Sequence, residues 1–234
     1  YILFFTLLSY VHSHAPETQV GIWQKISDKT RNLFTKEQHK PIYESVVIIL
    51  LLSAVYFVVF VPWRHNNNLL TVLKLNNEGK IGNIEDYTKP IKDKSLGFSE
   101  SLEHVSQTAI ALASSNAPEE FKRSLFTELD NAFGNYVKEV PGDARYRLFY
   151  GMFLSRYGYY GRAVDQLQKA AELSPNKQTI YFELANNLVL DNKPKEALDV
   201  AKKAYELEPS FVEARMVYGI VACISGNRSL SEEI

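Results

Sequence analysis

The order of apolar and polar residues divides the chain into two unlike parts. Residues 45–63 carry no charge, and positions 46–61 read VVIILLLSAVYFVVFV. As a helix, these 19 residues would extend about 28 Å, which is close to the ~30 Å hydrocarbon core of a bilayer. The run has no polar face, which argues against the alternative of a buried helix in a soluble protein. The pattern therefore predicts a transmembrane helix over residues 42–63.

A second apolar stretch, residues 1–11, lacks both an initiating Met and the basic start of a signal peptide. We expect it to be the end of a truncated transmembrane helix, with an atypical signal peptide as the alternative. Residues 12–41, between the two stretches, contain five Lys or Arg, whereas the twenty residues after Val61 contain three. The positive-inside rule therefore predicts a cytoplasmic loop over residues 12–41 and places the C-terminal part outside.

Polar breaks and amphipathic segments follow the apolar run. Residues 66–68 are three asparagines, which are typical of a turn or cap, so residues 64–98 are expected to form an irregular helical linker. Ser99 is a candidate N-cap for the next helix, and Pro118 with two acids marks the start of another. Residues 99–143 are thus predicted to be a divergent helical pair.

The last third of the chain repeats itself every 34 residues. Gly151 corresponds to Ala185 and to Gly219, a small position where two helices can approach closely. Four further pairs share the same offset: Ala163 with Ala197, Ala170 with Ala204, Leu173 with Leu207, and Pro175 with Pro209. Helices are expected at about 144–157, 160–173, 178–190 and 194–207. Ser-x-x-Glu capping boxes at Ser210 and Ser229 predict two more helix starts.

This period and these positions resemble the tetratricopeptide repeat, a helix–turn–helix unit of 34 residues. The family's first-helix Trp is absent, and Arg147 and Tyr181 stand in its place. The resemblance implies an all-α chain, with one or more transmembrane helices followed by a tetratricopeptide α-solenoid. The units are residues 144–177 and 178–211, with a truncated third repeat at residues 212–234.

The helical phase of each first helix, here called the A helix, gives a candidate partner groove. Its concave side is expected to be more apolar than charged and to suit an apolar helix or extended peptide of a protein partner. Packing of the chain's own preceding helices is the alternative. The predicted groove residues are Arg145, Leu148, Met152, Thr179, Phe182, Asn186, Met216 and Ile220.

Composition and motifs add no reaction. A net charge of −1 gives no electrostatic case for nucleic acid, and the single Cys223 is expected to be a small buried residue. We predict no catalytic, cofactor or metal site, since His12-x-His14 has no further ligand nearby. Tyr157, Tyr159 and Tyr160 could stack a sugar ring, but packing at the repeat turn is the alternative.

Taken together, the spans, the linker and the repeats resemble the C-terminal third of O-antigen ligase-like membrane proteins. Residues 167–175 (LQKAAELSP) and 201–209 (AKKAYELEP) carry the likeness to their C-terminal repeats. The resemblance implies a multi-pass protein of the bacterial cytoplasmic membrane, with the repeats on its outer face. Such a protein would act in cell-envelope polysaccharide assembly on lipid-linked oligosaccharides, through a missing N-terminal part. The alternative is a membrane-anchored tetratricopeptide scaffold that only binds other proteins.

Overall fold

The chain is described from a computed structural model that covers residues 40–92, 94 and 97–233. Within these ranges every regular element is a helix, which confirms the all-α prediction. The chain divides at Val61 and Pro62 into two compact units. The predictions for residues 1–11 and for most of the loop at 12–41 lie outside the described residues.

The first unit contains the apolar run. Helix α1 spans Lys40–Val55, a π-helical turn spans Tyr56–Phe60, and α2 begins at Val61. Apolar side chains along it are exposed, up to 71% for Val58. In the described residues, one helical stretch, Ser45–Asn77, is long and apolar enough to cross a membrane by length and composition.

The predicted turn at residues 66–68 is wrong, because α2 continues through it as Val61–Asn77. His65 and Val72 on this helix are fully buried. Asn76 Nδ2 also donates a hydrogen bond to Thr108 Oγ1 at 2.6 Å. Tertiary contacts of α2 therefore outweigh the weak local preference of asparagine for turns.

Three helices lie between α2 and the repeats. They are α3 (Ile84–Lys92), α4 (Phe98–Ala113) and α5 (Glu119–Glu139), and each packs against the other two. Ser99 does not cap α4, because the helix begins one residue earlier and Gly97, at φ 98°, is its N-cap. Leu102 and Val105 of α4 and Leu125 and Leu129 of α5 are fully buried, so the predicted apolar faces meet in a common core.

Six helices follow in pairs: α6 (Ala144–Arg156), α7 (Tyr160–Leu173), α8 (Gln178–Leu190), α9 (Pro194–Leu207), α10 (Val212–Ile224) and α11 (Arg228–Glu233). Each A helix packs on its own second helix, and that second helix packs on the next A helix. The turns inside the pairs repeat as well, because Gly158, Asn192 and Gly226, 34 residues apart, all have positive φ. Glycine and asparagine tolerate this left-handed conformation better than other residues.

The two residues that replace the family's Trp make equivalent contacts. Arg147 donates to the carbonyl oxygen of Pro141 at 3.2 Å, and Tyr181 donates to that of Pro175 at 2.8 Å. In the third repeat Arg215 donates to the carbonyl of Pro209 at 3.3 Å. In each case the acceptor is the proline six residues before the donor, so the hydrogen bond fixes the turn that precedes the A helix.

Near the C-terminus both predicted helix starts are found within two residues, but neither serine caps its helix, and Cys223 is not buried. The N-cap of α10 is Phe211 and receives no side-chain cap, because Ser210 Oγ donates to the carboxylate of Glu208 instead. Helix α11 begins at Arg228, so Ser229 lies inside it, and the side chain of Asn227 accepts from Leu230 N at 3.4 Å. Cys223 is exposed, since it lies one position beyond the buried stripe of α10 that ends at Ala222.

Candidate functional site

The A helices form one continuous layer, which we call the A-helix layer. It consists of α4, α6, α8 and α10, which contact one another in that order. The predicted groove residues all lie on α6, α8 and α10. The layer therefore extends the expected groove by one helix, α4, which the repeat pattern did not include.

The first cavity of the layer lies at the N-terminal ends of α6 and α8 and has a volume of about 780 Å³. Two predicted residues, Arg145 and Leu148, line it. The remaining lining residues are Val140, Gly142, Asp143, Ala144, Phe149, Ser174, Lys177 and Ile180. Asp143 caps α6 by accepting from the backbone N–H of Arg145 at 3.0 Å, which fixes this end of the cavity.

The second cavity, of about 380 Å³, lies toward the C-terminal ends of the same helices. Two of the predicted groove residues, Met152 and Asn186, line it. Its other lining residues are Ile110, Ser155, Arg156, Tyr160, Glu183 and Leu190. Ile110 comes from α4 and Tyr160 from α7, so the cavity is assembled from four helices.

The other four predicted residues lie outside both cavities. Thr179 is exposed, and the ring of Phe182 stacks 6.3 Å from that of Phe211. Met216 and Ile220 on α10 are 59% and 56% exposed. The structure thus brings four of the eight predicted residues into cavities and leaves the α10 pair as an open apolar surface.

Arg145 is held by its neighbours. Its guanidinium forms an ion pair with Glu103 of α4 and lies 5.4 Å from the ring centre of Phe149. A partner that used Arg145 as an anion anchor would have to compete with Glu103. The sequence could not show this, because the two residues are separated by 42 positions.

Glu183 is the functional candidate that the sequence prediction missed. It is half-buried in the second cavity, and burial raises the pKa of its carboxyl above the ordinary value. Among the described residues, no Lys, Arg or His side chain forms an ion pair with it and no group donates a hydrogen bond to its carboxylate. The sequence did carry one signal for Glu183, since it lies on α8 between two predicted groove residues, Phe182 and Asn186.

A histidine–serine contact elsewhere does not form a catalytic site. His65 Nε2 lies 2.8 Å from Ser101 Oγ, and both residues are fully buried. Among the residues that the structure describes, none forms a hydrogen bond with His65 Nδ1, so none of their carboxylates orients the ring. A substrate could not reach either atom. In the described part of the chain, no group of three or more His, Cys, Asp or Glu side chains could hold a metal ion.

The tyrosines near the first repeat turn have structural contacts. Tyr157 donates a hydrogen bond to the carbonyl of Ala109 at 3.2 Å, and burial raises its pKa to about 12. The ring of Tyr159 stacks 4.8 Å from that of Phe126. Tyr160 lines the second cavity. These contacts agree with packing at the turn rather than with a platform for sugar rings.

Known proteins similar in sequence match only part of the chain. The peroxisomal targeting signal receptor of Kluyveromyces lactis is 36% identical over 56 residues, which is 24% of this chain and 10% of the receptor. That of Candida glabrata is 30% identical over 81 residues, 35% of this chain and 13% of the receptor. The chain thus spans about an eighth or less of the length of these receptors, and no known family model matches it.

Solved structures similar to the chain share its fold. Two crystal structures of MamA superpose with TM-scores of 0.51 and 0.54 at 19% and 18% identity. The likeness covers 68% and 72% of this chain and 87% and 86% of the MamA chains. The helical repeats of the chain therefore form a tetratricopeptide-type α-solenoid.

Proposed function

We propose that this protein is a membrane-anchored tetratricopeptide scaffold that binds a protein partner along the A-helix layer. The observation that carries the anchor is the exposure of the apolar run: none of the 18-residue apolar window in Ser45–Asn77 is buried within the chain. Exposing so many large apolar side chains to water is unfavourable, at about 25 cal/mol per Å². A bilayer removes that cost and leaves a helix with all its backbone hydrogen bonds satisfied.

The proposal for the groove rests on its cavities and open apolar surface. Both cavities are lined by apolar and polar side chains, as peptide-binding grooves are. Met216 and Ile220 continue the apolar surface along α10. The similar sequences are receptors for a targeting signal, which agrees with recognition of a protein segment by such repeats.

The partner proposal is tested by photocrosslinking in cells, with a photoreactive amino acid placed at Met216. The matched control carries the same group at Lys169, an exposed position on α7, outside the A-helix layer. A partner in the groove gives adducts at position 216 and not at 169. Equal or absent adducts at both positions would refute the proposal.

We further propose that the protein lies in the bacterial cytoplasmic membrane with its repeats on the outer face, from the excess of Lys and Arg before the apolar run. Lys177 is exposed and can be replaced by Cys in a Cys223→Ala background. Spheroplasts treated with a membrane-impermeant thiol reagent should label Lys177→Cys without lysis. Labelling only after lysis would reverse the orientation, and release of the chain by alkaline carbonate would disprove the anchor.

An O-antigen ligase or polymerase activity on lipid-linked oligosaccharides stays a prediction from the sequence resemblance. Neither the similar receptors nor the similar structures support it, and the scaffold proposal does not need it. The reading frame upstream of Tyr1 decides the matter. Roughly ten further apolar spans and a long outward loop would support the enzyme, whereas a start codon shortly before Tyr1 would exclude it.

A further inference from the structure

The second cavity contains a carboxylate that forms no ion pair among the described residues. Glu183 lies half-buried in it, and desolvation by burial raises the pKa of its carboxyl. Arg156, which lines the same cavity, forms no ion pair with Glu183 in the described structure. Taking a carboxylate out of water without a partner is costly, so the folded chain retains an unfavourable arrangement that a ligand could relieve.

The cavity around Glu183 has a volume of about 380 Å³ and is lined by apolar as well as polar side chains. Ile110, Met152 and Leu190 line the cavity from three different helices, and Asn186 lies about one turn after Glu183 on α8. Lysine and arginine bury an apolar stem while their charged end keeps polar contacts. The apolar side chains of this cavity and the unpaired carboxylate of Glu183 complement that shape and charge.

We propose that this cavity receives a lysine or arginine side chain of a peptide bound along the A-helix layer. The stem would lie against Met152 and Leu190, and the cation would pair with the carboxylate of Glu183. This inference rests on the proposed function of the groove and adds the chemistry of the segment that it selects. A charge-assisted pair in a partly desolvated site discriminates strongly against neutral side chains.

The two methionines of the chain serve as NMR probes of the groove. The sequence contains only Met152 and Met216, the first in the second cavity and the second on α10. In the full chain, purified in a mild detergent with ¹³C-methyl methionine, each gives its own NMR signal. An initiator methionine, if added, is assigned with the Met152→Leu and Met216→Leu variants.

The ligands to be used are random octapeptides displayed on phage and selected on the immobilised full chain. Selection should enrich lysine or arginine at one position, and a synthetic selected peptide should shift the Met152 signal. Replacing its basic residue by norleucine should weaken binding about tenfold or more. Glu183→Gln should weaken binding of the basic peptide by the same factor as the norleucine replacement does. In that variant the basic and norleucine peptides should bind with the same affinity. Glu172→Gln, at an exposed glutamate of α7, is the matched control and should change nothing.

The outcomes separate the two proposals. Selected peptides that shift the Met152 or Met216 signals without any basic preference, or whose preference survives Glu183→Gln, would overturn this inference and leave the groove function standing. Selection that yields no peptide shifting either signal would refute the groove function and this inference with it. The Glu183→Gln variant should fold, because it replaces a poorly solvated charge by a neutral side chain of similar shape.

Discussion

The hydrogen bonds from the A helices to the preceding proline carbonyls should stabilise the three repeats to different degrees. All three side chains, Arg147, Tyr181 and Arg215, donate to a proline carbonyl, but their surroundings differ. Arg147 is 9% exposed and Tyr181 is 3% exposed, whereas Arg215 is an exposed residue. We therefore predict that Arg147→Met destabilises most, Tyr181→Phe less, and Arg215→Ala least.

The expected magnitudes follow from what each change leaves behind. Tyr181→Phe removes one neutral hydrogen bond and keeps the ring, so it should cost about 1 kcal/mol. Arg147 also donates to the carbonyl of Val137 at 3.3 Å and to Gln166 Oε1 at 3.1 Å. Arg147→Met would leave several polar acceptors without a donor, and we expect a cost of about 3–5 kcal/mol. Arg215→Ala, at an exposed site, should stay within about 0.5 kcal/mol.

Thermal unfolding of the full chain in a mild detergent, followed by far-UV circular dichroism, measures the series. In a unit of this size about 1 kcal/mol corresponds to roughly 2–4 °C in Tm. If Arg147→Met does not fold, Arg147→Tyr is the second variant: it installs the donor of the next repeat and should stay closer to wild type. Equal effects of the Arg147 and Arg215 substitutions, or no effect of Tyr181→Phe, would refute the assignment of these bonds as buried turn contacts.

Two further predictions concern other residues. A Cβ on Gly151 would lie 2.6 Å from Leu167 Cγ, so Gly151→Ala should lower Tm by an amount equivalent to about 1–3 kcal/mol. Gly219, at the same repeat position, has no atom within 4 Å of such a Cβ. Gly219→Ala should therefore raise the free energy of unfolding by about 0.5–1 kcal/mol. A decrease in Tm at Gly219 as large as that at Gly151 would contradict close packing as the cause. Burial raises the pKa of Glu183 in the folded chain above its ordinary 4.5. The protonated carboxyl therefore contributes to the free energy of unfolding in full below pH 4.5, and this contribution is lost as the pH rises through the folded-state pKa. Glu183→Gln should therefore be more stable than wild type near pH 7, and the difference in Tm should shrink as the pH is lowered to about 4; a difference that does not change with pH would contradict this origin.

The larger features of the fold could be predicted from local patterns. The 34-residue period, the small residue at 151, 185 and 219, and the turn glycines specify paired helices wherever the chain places them. Those helices begin and end within about two residues of the expected positions. Capping was predicted less well, because the Ser210 hydroxyl had a competing carboxylate nearby at Glu208 that motif matching does not weigh.

The sequence by itself determined the helical content, the repeat and the apolar run, because each depends on residues a few positions apart. Only the tertiary structure decided which side chains are free to act. Arg145 is neutralised by Glu103, 42 residues away, and His65 is enclosed beside Ser101, 36 residues away. Glu183 forms no ion pair with any described residue and is left as an unpaired carboxylate in a cavity that Ile110 of α4 also lines. Burial and charge pairing arise from helices that meet in space, so spacing along the chain could not reveal them.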